Sequence, residues 1–487
     1  MRHLSFKQAS LIILTFLGIC ISTNCRSQES KTKSVAINDL PEKVDKSGIS
    51  CWLTNPDKSA LLQKQDSKLI FNTSANQHST ITVDDANSFQ VMDGFGIALT
   101  GGSAYLINKL APEIRDALLK ELFAQDENSI GISYLRISIG ASDLDAAVFS
   151  YDDLPAGETD PKLEKFNLGQ DKTDLIPVLK SILQLNPKIK IMGSPWSAPV
   201  WMKSNNNSKG GSLVPEYYEA YAEYFVRYIT EMKEAGIPID AITIQNEPLY
   251  GGNNPSMVMV ATEQRDFIEN NLGPAFKSAG IKTKIIVYDH NCDRPDYATD
   301  ILSDPKAFEY VDGSAFHLYG GEISALSQVH NAYPSKNVYF TEQWVGGPSK
   351  FGHDMKWYMK NVIIGATRNW SKNIIEWNLA SDSLYDPHTP GGCTSCEGAI
   401  TISSGISRNV SYYTLAHASK FVPAGSVRIA SDSLTDLPNV AFKTPDGRKV
   451  LIVLNSSNNT ETFNISFGGK TATTSLNGGA VATYVWW

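Results

Sequence analysis

The stretch PEYYEAYAEYFVRYITEMKEAGIPIDAITIQNEP, residues 215–248, holds a helix and a strand in succession. Apolar and aromatic residues recur at helical spacing from Pro215 to Ala235, and Gly236 ends the run. The short apolar run Ala241–Gln245 indicates a buried strand, and polar residues follow it at once. The stretch therefore predicts a helix that leads into a strand, with a polar rim where the strand ends.

The same alternation recurs on both sides of this unit. The predicted strands are Asp93–Leu99, Ser133–Ile139, Ile189–Ser194, Ala241–Gln245, Lys284–Asp289, Gly313–His317, Val338–Thr341 and Asn373–Asn378. Further helices are predicted at Pro112–Phe123, Glu263–Ser278 and Asp354–Arg368. Alternation of this kind is typical of a parallel sheet. Eight units within residues 91–414 predict an α/β fold closed into a (β/α)8 TIM barrel.

The two ends of the chain have a different pattern. Short alternating runs separated by turn residues predict strands at Lys68–Val83, Ser426–Ile429, Asn439–Thr444, Lys449–Asn455, Glu461–Ser466 and Ala480–Trp487. We expect both ends to meet in one antiparallel β-sandwich attached to the barrel. The predicted division is a signal segment at 1–25, a flexible tether at 26–48, N-terminal sandwich strands at 49–90, the barrel at 91–414 and C-terminal sandwich strands at 415–487.

The N-terminus has the pattern of an export signal. Basic residues precede the apolar run Leu11–Ile21, which is too short to span a bilayer comfortably. Cys20 and Cys25 at its end suggest bacterial lipoprotein processing, with Cys25 favoured; ordinary cleavage within residues 22–27 is the alternative. The sequence therefore predicts a periplasmic or cell-surface lipoprotein, or else a secreted protein. Any membrane attachment is expected through this lipid anchor only.

Net charge and the number of cysteines limit the classes of partner and metal site that the chain can have. The net charge is −8 without a basic block, which argues against nucleic acid or anionic lipid as the main partner. Cys393 and Cys396 form a C-x-x-C pair, which cannot by itself supply four zinc ligands. In an exported protein a local disulfide or two buried thiols is expected instead. We expect no metal and no cofactor.

Polar side chains begin where seven of the predicted strands end. The runs are Ser138–Asp143, Ser194–Trp196, Asn246–Pro248, Asp289–Asn291, His317–Tyr319, Thr341–Trp344 and Glu376–Asn378. The carboxyl ends of the strands carry the active site in barrels of this type. The carboxylates, amides and tryptophans at this level therefore predict a functional rim that suits a sugar.

Two carboxylates of this rim stand out. Glu247 ends strand four and Glu342 ends strand seven, on opposite sides of an eight-stranded barrel. Glycoside hydrolysis needs such a pair, and a separation of about 5–5.5 Å gives a retaining enzyme with a covalent glycosyl intermediate. As the acid, Glu247 would need a raised pKa, which the charge of Glu342 would supply. The alternative for Glu247 is a carboxylate that caps the following turn.

Other acidic residues and other classes of protein fit the sequence less well than this pair. By alternation Glu376 points away from Trp377 and lies within strand eight, and Asp289 is interpreted as a group behind the pair. A Schiff-base aldolase would need a lysine at a strand end, and these runs contain none. A silent sugar-binding protein would usually have lost one of the acids.

At these residues the sequence resembles glycoside hydrolase family 30, the glucosylceramidase-like family. The matching strings are Asp93–Gly96, Arg136–Asp143, Ser194–Pro199 with Trp201–Lys203, Asn246–Pro248, His317 with Tyr319, Glu342, Trp377–Ala380 and Phe421–Ser426. The resemblance implies that Glu247 is the acid/base and Glu342 the nucleophile. It also implies a subsite for the terminal sugar lined by Arg136, Asp143, Trp196, Asn246, His317, Tyr319 and Trp377.

Five of these subsite assignments have a structural alternative. Trp196 and Trp377 could be core residues, and His317 a satisfied histidine at the barrel mouth. Asp143 could cap a helix, and Arg136 could hold strand-end carboxylates. For the substrate, the loop from Pro390 to Gly398 resembles bacterial β-1,6-glucanase-like members and favours a β-glucan. The alternatives are a glucosylceramidase or another exo-acting β-glycosidase that takes a β-glucoside.

Overall fold

The computed structural model of the protein describes residues 47–487. The predicted signal segment at 1–25 and nearly all of the predicted tether at 26–48 lie outside the described residues. Within the described range, no helix has both the length and the apolar character needed to cross a bilayer. The described chain contains a barrel and a β-sandwich.

The barrel consists of eight parallel strands in a closed ring. In chain order they are β1 (Gly94–Ala98), β2 (Tyr134–Ser138), β3 (Lys190–Ser194), β4 (Ala241–Thr243), β5 (Lys284–Cys292), β6 (Val311–Gly321), β7 (Asn337–Glu342) and β8 (Ser371–Asn378). The ring closes where β8 pairs with β1, from Asn373 opposite Gly94 onward. All eight predicted strands and the predicted TIM barrel are confirmed.

Helices lie between the strands. Their bounds are Gly101–Asn108, Pro112–Phe123, Leu175–Leu185, Tyr218–Glu234, Ala261–Phe267, Gly273–Ala279, Pro295–Leu302, Pro305–Tyr310, Ala325–Ala332, Phe351–Tyr358 and Val410–Ser419. Two helices predicted as continuous contain wide π turns, at Ile268–Leu272 and Met359–Ala366. The first of these turns ends two residues before Pro274, which has no N–H to continue the α-helical ladder.

The lower interior of the barrel is apolar. Seven strands contribute one buried side chain each to this layer: Tyr134, Met192, Ala241, Ile286, Ala315, Tyr339 and Ile375. On β1, Gly96 lies against Tyr134, and an added Cβ would stand 1.8 Å from the Tyr134 carbonyl oxygen. Glycine is therefore required at this position.

One pleat higher, the same strands turn polar. Side chains two residues apart face the same side of a strand, so the next inward positions are Arg136, Ser194, Thr243, His317, Thr341 and Trp377. Strand β5 reaches this level through a bulge, because Tyr288 and Asp289 both have positive φ, at 73° and 67°. Tyr288 thereby joins the outer core and Asp289 enters the barrel, where it contacts Thr243 and Thr341. The bulge supplies the charged residue that strict alternation would have turned outward.

The β-sandwich is built from both ends of the described chain, as predicted. Its nine strands run in the order Gln63–Lys64, Ser50–Thr54, Val481–Trp486, Lys449–Leu454, Asn439–Lys443, Val427–Ser431, Ser79–Val91, Glu461–Phe467 and Lys470–Leu476. One pair, Ser79–Val91 with Glu461–Phe467, is parallel, where a wholly antiparallel sandwich was expected. The long strand Ser79–Val91 serves both layers: residues 83–91 pair with Val427–Ser431, and residues 79–82 pair with Glu461–Phe467.

The sandwich packs against the barrel. Phe442 and Val450 belong to the same buried cluster as the barrel helices, while their neighbours Ala441 and Leu451 lie in the core of the sandwich. This sheet is therefore buried on both faces and braces the barrel. The predicted boundary between residues 414 and 415 falls inside the helix Val410–Ser419, and the domain bounds stay predictions.

Candidate active site

Glu342, the last residue of β7, is held through both of its carboxylate oxygens. The Nη1 of Arg136 donates to Oε2 at 2.6 Å, and the hydroxyl of Tyr319 donates to Oε1 at 3.0 Å. The Glu342 side chain is 7% exposed and lines a cleft at the carboxyl ends of the strands. Its orientation is therefore fixed before any substrate arrives.

Arg136 lies beneath the cleft and has no exposed surface. Its Nη2 donates to Asp289 at 2.8 Å and to Asn246 at 2.6 Å, and its Nε donates to Ser194 at 3.2 Å. Burial by itself would raise the pKa of Asp289, but the charge of Arg136, the charge and hydrogen bond of His317 and the hydrogen bond from Thr341 together hold that pKa well below its usual range. The proposed structural role of Arg136, holding strand-end carboxylates, agrees with these contacts.

Glu247 follows β4 in a strained conformation. Its φ is 45°, in the left-handed region that residues with a side chain seldom adopt, and its N–H donates to the backbone oxygen of Asp289 at 3.0 Å. Its Oε1 lies 3.1 Å from Nδ1 of His317. Strain of this kind persists where the surroundings fix it, and it is common at functional sites.

The two carboxyl groups lie close together. A carboxylate oxygen of Glu247, a carboxylate oxygen of Glu342 and a ring nitrogen of His317 all lie within 4.8 Å of one another. Nearest atoms this close are in line with the separation of about 5–5.5 Å between the carboxyl groups of retaining glycosidases. The geometry supports a retaining mechanism.

His317 bridges the acidic groups from the floor of the site. Its Nε2 lies 3.0 Å from Asp289 and its Nδ1 3.7 Å from Glu342, in addition to the contact with Glu247. Burial would lower the pKa of His317, but the charge of Glu342 and the hydrogen bonds to Asp289 and Glu247 raise it to about 9. The ring is therefore an imidazolium at neutral pH and donates from both nitrogens.

The predicted raised pKa of Glu247 is wrong for the site without substrate. Burial would raise it, but the hydrogen bond and charge of His317 lower the pKa of Glu247. Burial raises the pKa of Glu342 instead, and the charges of His317 and Arg136 oppose this only in part. The cause is the imidazolium beside Glu247, which strand-end spacing did not reveal.

Among residues 47–487, the candidate ligands for a metal ion are the same three side chains, Glu247, His317 and Glu342. Positive charge already lies against them, because Arg136 pairs with Glu342 and His317 has a raised pKa. The donor set therefore suits the neutralisation of carboxylates by protein groups and does not suit a bound metal.

The cleft above these residues has a volume of about 570 Å³. Of the predicted site residues, those that line it are Asp143, Trp196, Asn246, Glu247, Tyr319, Glu342 and Trp377. Arg136 and His317 lie beneath it, with no exposed surface. The Trp196 and Trp377 rings stack at 5.3 Å between centroids, so they form both a packed cluster and a cleft wall.

Both parts of the chain match profiles of known domains. Residues 92–422 match the glycosyl hydrolase family 30 TIM-barrel domain, and residues 425–484 match the glycosyl hydrolase family 30 beta sandwich domain. The chain belongs to glycosyl hydrolase family 30. It is thus a glycosidase, as the strand-end carboxylates predicted.

The relatives of this chain include endo-1,6-beta-D-glucanases and glucosylceramidases. The endo-1,6-beta-D-glucanase neg1 of Aspergillus fumigatus is 36% identical over 78% of this chain and 82% of its own length. The lysosomal acid glucosylceramidase of Mus musculus is 29% identical over 83% of each chain. Among solved structures, the endo-beta1,6-glucanase BT3312 is 35% identical with a TM-score of 0.83, over 90% of this chain and 99% of that one.

The cleft of this family 30 chain also contains residues that were not predicted as site residues. They are Tyr250, Gly252, Asn253, His290, Asn291, Trp344 and the segments Gly391–Cys393 and Cys396. Tyr250 is half exposed and Trp344 follows Glu342 by two residues. His290, Asn291 and Trp344 belong to strand-end runs and could have been found from that position. Tyr250 lies in a loop without a periodic signal.

The C-x-x-C pair is a disulfide, which resolves the two alternatives left open by the sequence. The bridged loop forms part of the cleft wall, and Cys396 packs in one cluster with Trp196 and Trp377. The N–H of Cys393 donates to Asp143 at 3.2 Å. Burial raises the pKa of Asp143 to about 7, and the charge of Glu342 adds to this. The loop therefore fixes a carboxyl group in the wall of the cleft.

Opening this disulfide should weaken substrate binding. A Cys393→Ser, Cys396→Ser variant is expected to have a KM for an aryl β-glucoside raised up to about tenfold, because the freed loop can give up its hydrogen bond to Asp143 and such a bond is worth about 0.5–1.5 kcal/mol. We expect kcat to change much less, because the side-chain hydrogen bonds of Glu247 and Glu342 within the described residues go to His317, Arg136 and Tyr319 and not to the loop. Cys292→Ala, at a buried free thiol, is the control. Equal KM values for all three proteins would contradict this role.

Glu376 lies outside the barrel interior, as its alternation predicted. It is 1% exposed, and the hydroxyl of Thr414 on the outer helix Val410–Ser419 donates to it at 3.0 Å. Its other oxygen has no hydrogen-bond partner within the described residues. Burial raises the pKa of Glu376 to about 8, and the hydrogen bond from Thr414 opposes this only in part. Glu376 is therefore a neutral structural group.

This neutral carboxyl group should make stability depend on pH. Between pH 4.5 and 8 the folded chain keeps the Glu376 proton and the unfolded chain releases it, so stability falls as pH rises. At about 1.4 kcal/mol per pKa unit, the loss attributable to Glu376 is up to roughly 4 kcal/mol. Glu376→Gln should lose this dependence, as measured by urea unfolding at pH 5 and pH 8.5. Parallel pH dependences in the two proteins would refute the assignment.

Proposed function

We propose that this chain is a retaining, endo-acting β-1,6-glucanase with Glu342 as nucleophile and Glu247 as acid/base. The observation that carries the chemistry is the close pair of carboxyl groups, one of them fixed through both oxygens. The support for the substrate is the set of endo-1,6-beta-glucanases among the relatives at 35–36% identity. A glucosylceramidase is the second candidate, and the relatives of that name at 28–29% identity favour it.

In the first step Glu342 attacks the anomeric carbon as the bond to the leaving oxygen breaks. Glu247 gives its proton to that oxygen, and a covalent glycosyl ester forms on Glu342. In the second step Glu247 takes a proton from water, the water oxygen bonds to the anomeric carbon, and the ester bond breaks. The sugar is released with its original β configuration.

This sequence of steps needs Glu247 protonated and Glu342 ionised when substrate is bound. Without substrate the order of the two pKa values is the reverse of this requirement, because His317 lowers the pKa of Glu247 and burial raises the pKa of Glu342. The bound sugar must therefore reverse it. Tyr319 and Arg136 provide the donors that favour Glu342 as the carboxylate.

Neighbouring residues are proposed to orient the sugar. Asn246 uses its side-chain oxygen to accept from Arg136, which leaves its amide nitrogen to donate to the sugar 2-hydroxyl. Hydrogen bonds to this hydroxyl strengthen in the transition state. The Trp196 and Trp377 pair offers an apolar wall, and Asp143 offers a carboxyl group for further hydroxyls.

The substrate is tested by incubating the protein with linear β-1,6-glucan and, separately, with glucosylceramide in detergent. Glu342→Gln is the control in both assays. Early release of oligosaccharides from the glucan, absent in the variant, supports the proposal. Glucose from the lipid alone would replace it with the second candidate, and glucose as the sole early product from the glucan would make the enzyme exo-acting.

We also propose that the protein is exported and anchored by a lipid on Cys25. The support is the apolar run Leu11–Ile21 with a cysteine close behind it. Bacterial cells that express the full chain are labelled with radioactive palmitate and fractionated. Loss of label in Cys25→Ala, but not in Cys20→Ala, supports the anchor, while unlabelled protein in the medium from all three would contradict it.

A further inference from the structure

A second cavity adjoins the catalytic cleft, and Trp344 lines both. This distal cavity has a volume of about 230 Å³. Its walls are the segment 343–346, directly after the nucleophile candidate, and the side chains His353, Asp354, Trp357 and Tyr358 of the following helix. It lies outside the set of residues predicted to hold the terminal sugar.

The walls of the distal cavity combine aromatic surface with polar groups. Two indoles, Trp344 and Trp357, line it, and Trp357 remains 37% exposed. His353 and Asp354 add a hydrogen-bonded polar pair at 2.9 Å. A cavity with aromatic walls and a few placed polar groups is the usual form of a small-molecule site.

Gln343 is the most informative of the lining residues. It is 6% exposed, and its side-chain amide oxygen has no hydrogen-bond partner within residues 47–487. A buried acceptor without a donor costs about 1–3 kcal/mol. A turn of the Gln343 side chain toward the cavity would let a ligand hydroxyl donate to this buried oxygen and remove the cost. A pyranose also brings apolar C–H faces for the indoles.

The distal cavity is already formed. Val345 and Gly346 pair with Cys396 and Glu397 in a short antiparallel ribbon. Trp344 packs against the cluster that contains the disulfide and the Trp196 and Trp377 rings. Because these walls are held from both sides, little ordering is needed when a ligand enters.

We propose that the distal cavity is a subsite for a further glucosyl unit of the β-1,6-glucan chain, beyond the units at the cleaved bond. This inference rests on the proposed glucanase activity and gives that activity a preference for long chains. A single sugar ring fits its aromatic walls, and the shared Trp344 gives a chain in the cleft a path into it. Contact so far from the cleaved bond should tighten binding of long substrates without changing the chemistry.

The test compares kcat/KM for reducing-end-labelled β-1,6-glucose oligomers of two to eight units. Trp357→Ala is the main variant, since it removes one indole wall without touching the catalytic groups. Trp357→Phe keeps an aromatic surface, and Phe89→Ala, equally exposed on the sandwich, is the matched control. Circular dichroism and unfolding midpoints establish that each variant is folded.

For the wild type we expect kcat/KM to rise with chain length. In Trp357→Ala the ratio of kcat/KM for the longest oligomer to that for the disaccharide should be about tenfold smaller, which corresponds to ~1.4 kcal/mol. Cleavage of the disaccharide itself should stay unchanged. Trp357→Phe should restore most of the rise, and Phe89→Ala should match the wild type. A rise equal to the wild type in Trp357→Ala, or an equal loss at every length, would overturn the subsite. A wild type that cleaves none of the oligomers would instead overturn the proposed glucanase activity, and the subsite with it.

Discussion

Replacing Glu342 with glutamine should lower kcat by on the order of 10⁴- to 10⁶-fold, as removal of a catalytic nucleophile does elsewhere. The amide cannot form the glycosyl ester, yet it keeps the size of the carboxylate and can still accept from Tyr319. Initial rates on an activated aryl β-glucoside measure the loss. Because the contacts to Arg136 and Tyr319 already exist without substrate, KM should change little.

Two controls make this result specific to the nucleophile. Glu376→Gln changes an equally buried glutamate outside the barrel interior and should keep full activity. Added azide should rescue Glu342→Gly by attacking the anomeric carbon from the vacated side, and the product should be an α-glycosyl azide. A Glu342→Gln variant that retains more than about a hundredth of wild-type kcat would contradict the assignment, since nucleophile removal costs far more.

Replacing Arg136 with methionine should cost about 3–5 kcal/mol of stability at pH 7, because it leaves buried carboxylates without their cation. Asp289 and Glu342 both pair with Arg136 through side chains that are 0–7% exposed. Asp289 keeps its low pKa chiefly through this charge, against burial, so in the variant its pKa should rise. Activity should also fall sharply, because Glu342 loses one of its two donors.

The pH dependence separates this charge effect from lost packing. In Arg136→Met the destabilisation should shrink as pH falls toward 5, because protonation relieves the unpaired carboxyl groups. Arg428→Met is the matched control: Arg428 is 6% exposed, donates to Gln90 and stacks on Phe89. Its destabilisation should show no comparable relief. Equal pH dependences for the two variants, measured by urea unfolding, would argue against the buried ion network.

The barrel could be predicted because its signals are local. Each strand is a short apolar run. The polar residues of the rim begin where such a run stops, as at Asn246 and Glu247. Alternating apolar and polar residues at both ends of the chain likewise predicted that the two ends form one sandwich. The strands Ser50–Thr54 and Lys470–Leu476 were not predicted, and the parallel pairing of Ser79–Val91 depends on tertiary geometry.

The electrostatics of the site could not be predicted in the same way. Strand-end order placed Glu247 and Glu342 on facing strands, but the position of His317 between them depends on side-chain packing within the barrel. The inward turn of Asp289 depends on a bulge with two positive φ angles, which no residue pattern announced. These two features reverse the expected order of the carboxyl pKa values.

The most direct test of the central claim is to trap the covalent intermediate. The wild-type protein is incubated with 2-deoxy-2-fluoro-β-glucosyl fluoride, whose leaving group permits the first step while the fluorine slows the second. Peptide mass spectrometry then locates the sugar. We expect one glycosyl adduct, on the peptide that contains Glu342 and at that residue. An adduct on Glu247, or turnover that releases the α anomer first without any adduct, would contradict the account.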